Sequence, residues 1–136
     1  MIFALAPFVM LISAPASEPP VFPEKFRGVW DVGPKPCEHD VSDTRIAIEE
    51  RVISYWESGG EPSQMVASDD NDISVTLAMA GEEQTWTKKT RFVISRDGSE
   101  MFAEELPIAG EDYYRTTWFY HRCTNGAKIG WGHDGN

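Results

Sequence analysis

Ile73, Val75, Leu77 and Met79 occupy every second position of one segment, with small or polar residues between them. That two-residue period restricts the fold more than any other feature of the chain. It places all four side chains on one face of an extended strand, whereas a helix repeats its apolar positions three and four apart. No stretch of ten or more residues repeats apolar positions at helical spacing. Short runs rich in β-branched and aromatic residues recur instead, divided by clusters of Gly, Pro, Asn and Asp. Strands are expected at 25–32, 44–49, 51–57, 63–68, 73–80, 84–95, 99–105 and 113–123. Phe26, Gly28 and Trp30 share one face of the first strand, and Ile46 and Ile48 point inward from the second. Turns are expected at Ser58-Gly59-Gly60-Glu61-Pro62 and at Asp69-Asp70-Asn71-Asp72, and Asp97-Gly98 reads as a two-residue hairpin. Eight short antiparallel strands joined by tight turns predict an all-β meander closed into a barrel or a two-sheet sandwich. An up-and-down barrel of about eight strands is the expected fold, because closure leaves no free sheet edges.

The first sixteen residues form a different kind of segment. They carry no charged side chain, and the apolar run from Ile2 to Ile12 is too short to span a bilayer. It has the length of a signal-peptide core, followed by the small-x-small pattern Ala14-Pro15-Ala16. Residues 1–16 are therefore expected to be a signal peptide, 17–24 an N-terminal arm, 25–123 the barrel, and 124–136 a Gly-rich flexible tail. The expected compartment is periplasmic or extracellular. The remaining roughly 120 residues suffice for one core, and no membrane association is expected once the leader is removed. A formal net charge of −10 repels phosphate backbones, which excludes nucleic acid as a natural partner and favours cationic ones.

Only two cysteines occur, each with a histidine two residues away: Cys37-Glu38-His39 and His121-Arg122-Cys123. The choice lies between a disulfide and a Cys2His2 metal site. Structural zinc sites space their ligands by two or more residues, and export favours oxidation. A disulfide between Cys37 and Cys123 is expected, with no metal and no cofactor. In the chain-entropy picture a loop this long contributes about 4–5 kcal/mol. The bond requires the loop at 33–43 to fold back along the barrel wall, because neighbouring antiparallel strands end at opposite rims.

Lys25-Phe26-Arg27-Gly28-Val29-Trp30 resembles the first-strand G-x-W motif of lipocalins and related barrels. In that family the Trp packs across the closed end of the barrel against an Arg on the last strand. The resemblance implies that Gly28, Trp30 and Arg122 form this closure, with Arg115 as the second candidate for the arginine. Glu111-Asp112-Tyr113-Tyr114 is similar to the family's T-D-Y motif without its Thr. The chain also resembles small secreted bacterial proteins of unassigned function through FRGVW, YWESGG, GEEQTW and the closing Tyr120-His121-Arg122-Cys123. Its G-x-W…Cys opening is similar to that of small periplasmic barrel inhibitors of metalloproteases.

Catalytic patterns are missing from the sequence. It contains no G-x-S-x-G elbow, no H-E-x-x-H and no phosphate-cradling glycine loop, so no enzyme is expected. The aromatic residues are more informative. Trp56, Trp86, Phe92, Tyr114, Trp118 and Tyr120 all fall in expected strands, where they fill a core or line a calyx for a small apolar ligand. A monomeric, non-enzymatic binding barrel is one expectation. The other is an inhibitor or interaction module for an exported hydrolase, a lysozyme or a protease, in which the acidic charge captures a cationic partner.

Overall fold

The computed structural model describes residues 11–13, 17–110, 116–124 and 126. A 3-10 turn, Glu24–Phe26, leads into eight antiparallel strands: β1 Gly28–Asp31, β2 Ile46–Ile48, β3 Ile53–Tyr55, β4 Ser58–Asp69, β5 Asp72–Gly81, β6 Gln84–Ile94, β7 Glu100–Leu106 and β8 Thr117–Arg122. Each strand pairs with the next, and β8 returns to β1 to close the barrel. The register places Trp30 opposite both Ile46 and Arg122.

Cross-strand partners share a face, so the register identifies the inward side chains. Ile53, Gly60, Met79 and Trp86 form one such row, and Val75, Thr90 and Glu105 contribute to another. The alternating run of β5 points inward at Ile73, Val75, Leu77 and Met79, each almost fully buried. With Trp30, Ile46, Ile48, Ile53, Phe92, Ile94, Met101 and Tyr120 they make the core. Phe22 and Phe26, from the arm and the 3-10 turn, close one end, with Phe22 packed edge-on against Phe92 at 6.3 Å.

Three expectations are corrected. Ser58-Gly59-Gly60-Glu61-Pro62 is not a turn; it is the first part of β4. The turn falls one step earlier, at Trp56-Glu57, where Glu57 adopts a left-handed φ of 62°. Gly60 leaves room within the strand for the Met79 sulfur, which a side chain there would displace. Second, Asp97-Gly98 is the centre of a four-residue loop, since Ser95 and Glu100 still pair across its base. The Asp97 carboxylate accepts bonds from the Ser95 hydroxyl and from both Ser99 donors. These bonds, led by the Ser99 hydroxyl, hold its pKa down at about 2. Third, the first strand begins only at Gly28, because the chain before it turns as a 3-10 helix. The last strand is described from Thr117; residues 111–115, and with them Arg115 and the T-D-Y-like segment, lie outside the described residues.

The disulfide joins Cys37 to Cys123 with Cα atoms 5.4 Å apart. The fold-back it needs is organised by Asp31, which no sequence motif marks. This buried carboxylate accepts hydrogen bonds from the Val32 and Cys37 amides, the Ser42 and Thr44 hydroxyls and the Arg45 guanidinium. Arg45 is equally buried, pairs with Asp31 at 3.2 Å, and donates to the carbonyls of His39 and Asp40. One ion pair thus gathers the whole of loop 32–45 against the barrel. The distance to be recovered is also short, since Cys123 bonds the carbonyl of Val29 in the middle of β1.

Candidate functional site

The two ends of the barrel differ in chemistry. At the closed end the Arg122 guanidinium lies 4.2 Å from the centre of the Trp30 ring. It donates to the carbonyls of Gly98 (2.7 Å), Arg27 (2.6 Å) and Lys25 (2.6 Å), tying β8 and the β6–β7 loop to the entering chain. The Trp30 indole N–H bonds the Phe26 carbonyl at 3.0 Å. Gly28 has a φ of +135°, and any Cβ there would come within 2.6 Å of Arg122 Nη1. Glycine is required by both the backbone and the arginine. Gly28, Trp30 and Arg122 therefore form one assembly.

The opposite end carries the β1–β2, β3–β4, β5–β6 and β7–β8 connections. Here the inward row changes from aliphatic to polar and aromatic: Tyr55, Trp86, Lys88, Glu105 and Trp118. Trp86 and Trp118 point inward by register, opposite Met79 and Ala103, yet each is 41% exposed. Lys88 Nζ sits 4.2 Å from the centre of the Tyr55 ring, a cation–π contact. Burial lowers the Lys88 pKa, with Glu105 opposing the shift. Burial likewise pushes the Tyr55 phenol well above its ordinary value, and Tyr120 and Glu105 add to that. Beneath them Thr90 is buried, its hydroxyl close enough to the Tyr55 phenol to oppose that rise.

The aromatic residues singled out from sequence do not act as one set. Trp86 and Trp118 line the mouth, whereas Phe92 and Tyr120 lie deep in the core. Trp56 stands in the β3–β4 turn rather than on a strand, and Tyr114 lies outside the described residues. Lys88 and Thr90 carry no signal in the sequence that points to a site. The strand period could have exposed Lys88, Thr90 and Phe92 as one face of β6, since they alternate strictly. Among the described residues no cluster of His, Cys, Asp and Glu is arranged to hold a metal ion. His39 and His121 are exposed, and the latter lies 3.8 Å from Glu100.

An open groove of about 780 Å3 runs over β4, β5 and β6, lined among others by Gly59, Gly60, Ala78, Met79, Trp86 and Thr87. No helix among the described residues is long and apolar enough to cross a membrane. Comparison of the chain with protein-family models, with curated proteins and with solved structures finds no match.

Proposed function

We propose that the protein is an exported, non-enzymatic barrel that binds a small, largely apolar ligand in its aromatic mouth. The observation that carries this reading is the exposure of Trp86 and Trp118 on the inner face of the barrel, above a layer of buried aliphatic side chains. Leaving indole surface in water forgoes about 25 cal/mol per Å2, so an occupant that covers it gains free energy. The ligand's apolar body lies against the two tryptophans. Its polar end points inward to Lys88, Glu105 and Thr90, which supply one cation, one carboxylate and a hydroxyl. A disulfide and a leader-like N-terminus support export.

Native mass spectrometry of the protein from an exporting host tests this, followed by titration of the recovered molecule onto emptied protein. Trp86→Ala and Trp118→Ala should each weaken binding about tenfold, the cost of about 1.4 kcal/mol of lost apolar burial. Unchanged affinity in both variants would sink the reading. The hydrolase-inhibitor alternative is favoured by Phe119, 68% exposed on the outer face, its ring tilted against that of Phe102 with centroids 5.4 Å apart. Inhibition of a lysozyme or a protease that Phe119→Ser abolishes would support it in place of the first.

A further inference from the structure

The barrel is closed, but not along its full height. β3 pairs with β4 only from Ser58 to Gly60, while β4 continues to Asp69. From Glu61 onward that edge of β4 meets no strand, because the chain before Ile53 turns away, with Glu49 bonding Val52. Among the described residues no backbone hydrogen bond reaches this edge from outside the β4–β5 ladder. Ser63, Gln64 and the run Val66–Asp70 are all exposed, Val66 to 68%. A row of free N–H and C=O groups is a template for another strand.

Barrels commonly blunt such an edge with proline, charge or a bulge. β4 carries these devices only at the two ends of the free segment. Pro62 and a register shift between Pro62 and Gln64 mark one end, and a second shift between Ala67 and Asp69 marks the other. Between them Gln64, Met65, Val66 and Ala67 pair regularly with Thr76, Val75, Ser74 and Ile73, and none of the four is charged. The protected ends leave a four-residue window.

We propose that this window takes up an extended segment of a partner protein as an added strand, with about four uncharged residues flanked on both sides by Lys or Arg. The charges decide the occupant. Glu61 stands before the window and Asp69 and Asp70 after it, in a chain of net charge −10. A second copy paired antiparallel about the centre of the window would set Glu61 against Asp70 twice over. Like charges directly opposed destabilise a ladder. A strand with basic flanks meets the same carboxylates favourably. Lys25, which reaches the same end of the barrel, is engaged by Asn71 at 2.9 Å. Val66 points outward and selects an apolar residue opposite it. The proposal is independent of the mouth, which lies at the other end.

The test uses the whole exported protein, labelled with 15N, and a synthetic peptide Lys-Lys-Val-Thr-Val-Thr-Lys-Lys. Binding should slow amide exchange within residues 63–68 by about tenfold or more. Affinity should fall as NaCl rises from about 50 to 500 mM, and a peptide with Glu flanks should not bind. Val66→Lys, at an exposed site, should weaken binding by about tenfold or more through repulsion of the basic flanks. If Val66→Lys disturbs the near-ultraviolet circular dichroism, the pair Glu61→Gln and Asp70→Asn replaces it and should abolish most of the salt dependence. Slowed exchange elsewhere, none at all, or no response to either variant overturns the proposal. Sedimentation showing that the protein alone dimerises through this edge overturns it too, in favour of a second copy.

Discussion

Asp31 illustrates how much one carboxylate can hold in a chain of this size. Five donors converge on it, and one of them, Arg45, is itself buried. Burial pushes its pKa up, but the hydrogen bonds from Thr44, Cys37, Ser42 and Val32 outweigh that and hold it below the ordinary carboxylate value. Asp31→Asn keeps the shape but removes the charge, leaving the Arg45 guanidinium buried without its counterion. The expected loss is about 3–5 kcal/mol, read as a lower urea midpoint at unchanged m-value with the disulfide intact. A loss below about 1 kcal/mol would show that water reaches the pair and that the loop is held by the disulfide alone. The pH dependence has a definite sign. A depressed carboxylate pKa contributes stability that is fully present above the unfolded value and is lost as pH falls through the folded value. Asp31 and Asp97, the latter at about 2, therefore both place the acid limb below about pH 4. Neither Asp31 nor Arg45 was legible in the sequence, because Asp31 follows Trp30 in a strand and Arg45 stands fourteen positions on. Nothing local indicates that two charged residues will be buried together.

At the scale of elements, the two-residue period located strands well wherever the strand has one wet face, as in β5 and β6. It failed where glycine and proline stand inside a strand. Gly59, Gly60 and Pro62 have the composition of a turn, yet Gly60 is there to admit Met79 and Pro62 sits at a bulge. Composition cannot distinguish a glycine needed for a turn from one needed for a close approach. The reverse case is the β5–β6 hairpin. Glu82 and Glu83 link Gly81 to Gln84 with φ values of 47° and 64°, so both central residues are left-handed. A two-residue loop of this kind favours Asn-Gly, and glutamate is disfavoured there. Replacing Glu82 by Asn and Glu83 by Gly should stabilise the protein by about 0.5–1 kcal/mol. Thermal melts would register a rise of a few degrees, and a fall would mean that the glutamates make contacts outweighing their backbone cost. Because this hairpin borders Trp86 and Lys88, affinity for the proposed ligand should be followed in the same variant.

For the whole molecule, the sequence reached the architecture but not the division of labour between its ends. Closure was legible from eight alternating segments and from Gly28 and Trp30 at the first strand. The mouth was not, because its character depends on which inward residues share a height on the barrel, and that follows from strand stagger rather than from any single strand. Charge is the property that belongs to the molecule as a whole. The net −10 lies entirely beyond residue 16, since the leader-like segment carries no charged side chain. Folding concentrates that charge into a small volume, and self-repulsion lowers the stability of the compact state. Salt screens exposed charges beyond about 3 Å at 1 M but only beyond about 30 Å at 0.01 M. The exposed side of the Arg91–Asp72 pair, 2.7 Å long, loses a little in salt. The buried Asp31–Arg45 pair is shielded from it. Repulsion therefore dominates the balance, and stability should rise by about 1 kcal/mol between roughly 0.01 and 0.5 M NaCl at pH 7, a gain of about 3–6 °C in Tm. Potassium and sodium chloride should act alike, which separates screening from site binding of one cation. A melting temperature that falls with added salt would instead place the controlling interactions in exposed ion pairs, and the acidic surface would then impose no measurable strain on the fold.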